Sequence, residues 1–306
     1  MGWVHKSAGA LAALCLAALA TGSIGETRAQ APGAAAQPQR DPFNGQFGSV
    51  ELALAPRLAA QQHALLSAAL ARLAPQRPGQ LDVYLVTASF WSDPVFEREA
   101  SQAAAIAGPR IGAQDRTIVL SAGTGALGPR AYPAATPVNL NAVLGHIGAL
   151  IDPAEDLVVL FFTSHGSPDG SIAIREHNRM GAALRPAHLR DALADAGIRN
   201  RIVIVSACFS GAFIAPLMNE DTIILTASAP DRTSFGCQPD REWTFFGDAY
   251  FSHALRGGAG LVDGFTQAQR LIAQWEQERN LTPSNPQRSV GPRAAALLQR
   301  AERGAR

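Results

Sequence analysis

The chain has 306 residues, a net charge of +1 and three cysteines. A near-neutral balance with no basic cluster argues against nucleic acid or an anionic membrane surface as partner. Three cysteines do not make a disulfide scaffold, and the length suffices for one large α/β domain with its own core.

Met1–Lys6 is positively charged, Ser7–Gly22 is a run of small and apolar residues, and a polar stretch ends in Thr27-Arg28-Ala29. This is the three-part layout of a secretory signal peptide, cleaved after Ala29. The run is shorter than the ~20 apolar residues of a membrane span. The mature protein is therefore expected in the periplasm or outside the cell, with no stable membrane insertion. Residues 30–46 are rich in Ala, Pro and Gln and are expected to be a disordered leader. Residues 47–306 are read as one domain.

Leu54, Leu58, Leu65, Leu66, Leu70 and Leu73 recur at helical spacing and predict a helix over Val50–Leu73. The buried strand Leu81–Ala88 follows, then a helix over Arg98–Ala107, a strand at Thr117–Ser121 and a Gly/Pro-rich loop at Gly123–Thr136. Next come a helix at Asn139–Ile151, the strand Leu157–Thr163 and a hairpin arm at Ser171–Arg175. Pro186–Ala196 is a helix stopped by Gly197. Two further strands, Ile202–Ala207 and Thr222–Thr226, flank a helix starting near Gly211. Phe265, Ala268, Ile272 and Trp275 mark one face of a late helix. Strands alternating with helices predict a three-layer α/β/α sandwich around a mostly parallel sheet.

Two of these strands stop abruptly on reactive residues: Leu157–Thr163 leads to His165-Gly166 and Ile202–Ala207 to Cys208. Sites in open parallel sheets gather at the carboxyl ends of strands. An imidazole and a thiol placed there form the constellation of a cysteine nucleophile with its base. The expected helix after Cys208 offers free N–H groups to a thiolate. The amides of Gly166 and Cys208 are candidates for an oxyanion hole. Taken singly, a His or a Cys at such a place is more often a capping or buried core residue. Cys208 and Cys237, the two cysteines left after signal cleavage, are open to either a disulfide or two free thiols on count alone.

His165-Gly166-Ser167, Ser206-Ala207-Cys208-Phe209-Ser210-Gly211, Asp231–Cys237 and Thr244-Phe245-Phe246-Gly247-Asp248 follow in that order. In this the chain resembles the legumain (asparaginyl endopeptidase) family of cysteine peptidases, in its bacterial secreted branch. The resemblance runs from about Leu81 to Leu298 and implies a caspase-like fold and peptide or protein substrates. It implies Cys208 as nucleophile, His165 as general acid/base, and Gly166 and Cys208 as oxyanion donors. Thr233, Ser234 and Asp248 would bind the substrate residue before the cut, and Cys237 would stay unpaired. No metal and no organic cofactor is expected.

The chain departs from the family pattern at Phe209, where an acidic residue usually follows the nucleophile, and at Ser164, where Asp usually precedes the His. The Arg-His pair that helps to read an Asn side chain is not recognisable, and Arg98 is the nearest substitute. His63, His146, His177, His188 and His253 stand singly without metal-ligand spacing. Besides the endopeptidase, two readings remain: a peptide ligase or transamidase, and a catalytically weak envelope scaffold of the same fold.

Overall fold

A strand covered on both faces must be apolar at nearly every position, and the runs 157–163 and 202–205 meet that demand. The computed structural model describes residues 56–123, 132–176 and 180–305. The signal segment 1–29 and the leader 30–46 lie outside the described residues, as does 50–55 of the first predicted helix.

The strands in chain order are β1 (Val83–Ser89), β2 (Thr117–Ser121), β3 (Leu157–Thr163), β4 (Ile172–Glu176), β5 (Met180–Leu184), β6 (Arg201–Ser206), β7 (Thr222–Thr226) and β8 (Gln287–Val290). The main sheet has the order β2-β1-β3-β6-β7-β8. All of its pairings are parallel except β8 against β7. β4 and β5 form a separate antiparallel hairpin. The longer helices are α1 (Pro56–Ala71), α2 (Pro94–Arg110), α3 (Pro137–Leu150) and α4 (Pro186–Asp195). Two short ones follow, α5 (Ile214–Leu217) and α6 (Phe245–Gly247), then α7 (Leu261–Glu278) and α8 (Pro292–Gly304). Proline opens α2, α3, α4 and α8, where its fixed φ suits a helical start and its missing N–H costs no bond.

Alternate residues of the strands feed two cores. Tyr84, Val86, Val158, Leu160 and Phe162 face α1, α3, α4 and α5. Leu85, Val159, Phe161, Ile202 and Ile204 face α2, α7, α8 and the π-helical turn Asp248–Leu255. This is the three-layer sandwich expected from the sequence. At the amino-terminal edge, the buried Asp82 carboxylate accepts from Arg77 at 2.6 Å and pairs with Arg116 at 3.2 Å. Asp156 accepts the Asp82 N–H at 2.9 Å, which ties β1 to β3 at the end remote from His165.

The boundaries moved at several places. α2 begins at Pro94 instead of Arg98, because Asp93 and Pro94 supply an N-terminal signal ahead of the first apolar repeat. The hairpin has its second arm in Met180–Leu184, which carries little β-branched or aromatic content. The edge strand β8 and helix α8 were not read from the sequence; β8 is four residues, alternately half-buried and exposed.

Phe161 is buried and meets Phe251 at a ring separation of 4.6 Å. Phe161→Ala is expected to cost about 3–5 kcal/mol in urea denaturation. Val138→Ala, at a position 76% exposed, should change stability by less than about 0.5 kcal/mol.

Candidate active site

Three neighbouring strands end side by side. β1 leads into Trp91 and Asp93, β3 into His165, and β6 into Cys208. The winding reverses between β1 and β3, the kind of switch point at which open α/β sheets form crevices. Thr163 pairs with Ser206 in the last rung of β3 and β6, and the Ser164 N–H reaches the Ser206 carbonyl at 3.2 Å. His165 and Cys208 therefore leave the sheet at matched heights.

His165 is held on two sides. Its ring meets Trp91 edge-on at 5.2 Å and Phe96 edge-on at 5.0 Å. Its Nε2 lies 3.6 Å from Asp93 Oδ2. Asp93 occupies the N-cap position of α2, yet its side chain caps no helix amide. The carboxylate is thus left to face the imidazole. The arrangement stays open to solvent, with the His165 side chain 41% exposed.

The half-buried Cys208 Sγ accepts the Ser234 N–H at 3.2 Å and lies 3.7 Å from Ser234 Oγ. Among the described residues no hydrogen bond joins it to His165. Each partner is held by its own neighbour, the imidazole by Asp93 and the sulfur by Ser234. A correction concerns the helix after Cys208. Ser210–Phe213 is a single 3-10 turn and α5 has four residues, so no long helix points its positive end at the thiol. The early amides are also occupied: the Phe209 N–H bonds the Arg232 carbonyl at 2.8 Å and the Ser210 N–H bonds Ser228 Oγ at 3.2 Å. Ser234 supplies the donor instead. Phe209 has φ 58°, a left-handed conformation that a non-glycine residue adopts at a cost of about 1–3 kcal/mol.

Gly166 packs directly on the backbone of Cys208, and a methyl group built there would overlap the Cys208 carbonyl. Among the described residues, neither the Gly166 nor the Cys208 amide N–H has a hydrogen-bond acceptor. Ser164, at the position of the family's acid, is buried and donates to the Ala173 carbonyl at 2.6 Å.

Beneath the two strand ends lies a residue the sequence reading missed. Glu99 of α2 is fully buried. Its carboxylate accepts from Thr163 Oγ1, from Thr244 Oγ1 at 2.6 Å and from Ser206 Oγ at 3.3 Å, with the Gly247 N–H a further donor. Burial pushes its pKa up to about 7, against the opposing pull of these donors. Its position on an amphipathic helix gave the only possible signal: a carboxylate on the face that otherwise carries Val95, Phe96, Ala100 and Ala103.

Cys237 is a free thiol, as is Cys208. Burial, reinforced by the negative charge of Cys208, Glu99 and Asp93, pushes the Cys237 thiol up to about 12. It stays protonated and is no competing nucleophile.

Of the residues singled out from sequence, His165, Gly166, Cys208 and Ser234 come together. Thr233 adjoins Ser234 and is exposed. The Asp248 carboxylate faces His253 Nδ1 at 3.2 Å. Arg98 is likewise committed, to the Pro239 and Arg241 carbonyls and to Glu242 at 3.6 Å. A groove of about 600 Å³ between α3, α4 and the hairpin shares none of these residues. Among the described residues no cluster of His, Cys, Asp and Glu could hold a metal ion, and no helix is long and apolar enough to cross a membrane.

The sequence model of the peptidase C13 family matches residues 129–294, more than half of the chain, and spans both strand ends. The chain belongs to the peptidase C13 family. Its class is therefore that of cysteine-type peptidases, acting on peptides or proteins. Asp93 and Glu99 precede the C13 match. Comparison with curated proteins gives no match. Among solved structures the chain is similar to caspase-1 from Spodoptera frugiperda, at 10% identity and a TM-score of 0.48, over 71% of this chain and 89% of that one.

Gly166→Ala must displace one strand end, and a loss of about 1–3 kcal/mol in urea denaturation is expected. A raised carboxyl pKa means that the folded state binds the Glu99 proton more tightly than the unfolded chain does. This contribution is complete near pH 4.5 and below, fades as pH rises towards about 7, and is flat beyond. Thermal melts of Glu99→Gln across pH 4.5–8 should lack that part of the wild-type slope.

Proposed function

We propose that the chain is a cysteine endopeptidase in which Cys208 is the nucleophile and His165 the general acid/base. The observation that carries this reading is the delivery of both residues from adjacent, register-matched strand ends, within the region that matches the family. The Cys208 thiol gives its proton to His165 as Sγ adds to the scissile carbonyl carbon, and the Ser234 N–H offers the sulfur a hydrogen-bond partner. The oxygen takes up negative charge against the unoccupied amides of Gly166 and Cys208. His165 protonates the departing amine as the C–N bond breaks, leaving a thioester. Water then adds, giving a proton to His165, and the C–S bond breaks to release the acid and the thiol.

The proton that His165 carries belongs on the leaving nitrogen. With Nε2 turned to Asp93, Nδ1 is the nitrogen left for that transfer, and Asp93 stabilises the imidazolium. The resemblance favours Asn or Asp before the cut. The engagement of Arg98 and Asp248 elsewhere weakens the grip such a side chain would find. Export to the periplasm or beyond is proposed on the signal-type segment Met1–Ala29.

The test is digestion of a mixed peptide library by protein beginning at Gln30, read by mass spectrometry. Cys208→Ala is expected to abolish cleavage, and His165→Ala to lower kcat roughly 10²–10⁴-fold. Turnover that survives Cys208→Ala sinks the assignment. Absence of cleavage by the parent under reducing conditions favours the scaffold reading. Products joined to an added amine mark a transamidase.

A further inference from the structure

We infer that Glu99 is a positioning residue for Cys208 and His165: its buried carboxylate ties the ends of β3 and β6, and the turn that closes the Ser234 segment, into one rigid unit. The inference rests on the peptidase reading for its kinetic consequence, not for its geometry.

Three hydroxyls from three separate pieces of chain converge on this carboxylate. Thr163 is the last residue of β3, two before His165, and Ser206 is the last of β6, two before Cys208. Thr244 ends the loop that carries Ser234 and Cys237, and its hydroxyl also lies 3.1 Å from Ser206 Oγ. Gly247, at the end of α6, packs so close to Glu99 that a methyl group there would overlap the carboxylate. A buried carboxylate with no basic partner is an expensive group to retain. The elements around it offer hydroxyls and an amide but no salt bridge. A hydrophobic residue would fill the same space, so packing alone does not account for an acid here.

The charged and titratable groups near Glu99 are few. Cys237 feels it directly, together with Asp93 and Cys208. His165 stands past the end of β3, Glu97 and Arg98 share α2, and Asp248 follows Gly247. β3 and β6 present only hydroxyls to it, and the Thr244 turn a hydroxyl and the Gly247 amide. As a carboxylate Glu99 accepts all its donors at once. Once protonated it must donate, and one of the three hydroxyls has to turn round, loosening one tie. With its pKa raised to about 7, this change falls near neutral pH. In Glu99→Gln a single oxygen remains to accept, so the ties cannot all be kept at any pH.

The test measures kcat and KM against pH from 5.5 to 8.5 for the parent, Glu99→Gln, Ser206→Ala and Thr244→Ala. In parallel, the rate of Cys208 carbamidomethylation by iodoacetamide is read by peptide mapping. Glu99→Gln is expected to lower kcat roughly 10–100-fold with KM within about twofold, as a displaced reacting pair should. It should also remove from both profiles the inflection near pH 7. Ser206→Ala and Thr244→Ala should lose less and keep the inflection. An unchanged kcat in Glu99→Gln, or a loss uniform across pH with the inflection in place, overturns the inference. Should Glu99→Gln fail to fold, parental kcat in both hydroxyl variants overturns it equally. Should the parent cleave no peptide, the peptidase reading fails alone, and the carbamidomethylation profiles still decide the role of Glu99.

Discussion

The parallel pairing of β3 with β6 governs the site. Side chains alternate along a strand with a period of two, so a slip of one residue would turn Cys208 away from the face that His165 shares. The register is fixed far from the chemistry, by Val158 to Phe162 and Ile202 to Val205, which bury both faces of each strand. A slip would exchange the side chains facing the two cores along a whole strand. It is therefore penalised by packing, not by any contact at the reactive groups. The hydrophobic layers set the height at which the strands end, and the strand ends set the spacing of thiol and imidazole.

Past the sheet, backbone geometry takes over. Phe209 is strained, and the structure around it holds that strain in place: its N–H is bonded to Arg232, and Ser210 and Ser228 exchange bonds from amide to hydroxyl in both directions. Polar groups that would be costly singly become a stiff lattice when each is satisfied. Ser234 belongs to the same stretch of chain, so the donor to the sulfur and the clamp on the turn are made by one loop. On the other side, Trp91 and Phe96 confine the imidazole with edge-on contacts that restrict its tilt without adding charge.

The sheet was legible in the sequence because burial on both faces writes an unbroken apolar run, and the strand ends were legible because each run stops on a residue that does not belong to a core. The four-block pattern from His165 to Asp248 gave the family. Asp93 was not legible: a residue before Pro94 reads as a helix cap, and only the structure shows the side chain diverted to His165. Glu99 was hidden for a related reason. An acid on a helix reads as surface until its partners are known, and these come from Thr163, Ser206 and Thr244, far along the chain. The helix after Cys208 was overestimated because Ser210-Gly211 resembles a helical start, whereas the chain makes one tight turn and α5 ends after Leu217. β8 was missed because an edge strand with alternating exposure lacks the apolar run that marked its neighbours.

Asp93, His165 and Cys208 follow strands joined by parallel pairings, each of which needs a crossover to close, and Ser234 lies on the loop after β7. Parallel sheets of this kind assemble late, since the entropy of closing long loops must be met before their contacts form. A chain emerging or threading in extended form carries the thiol, but none of the neighbours that make it useful. Until the parallel pairings close, the thiol lacks the neighbours on which the proposed chemistry depends, so the site forms in the same cooperative step as the fold.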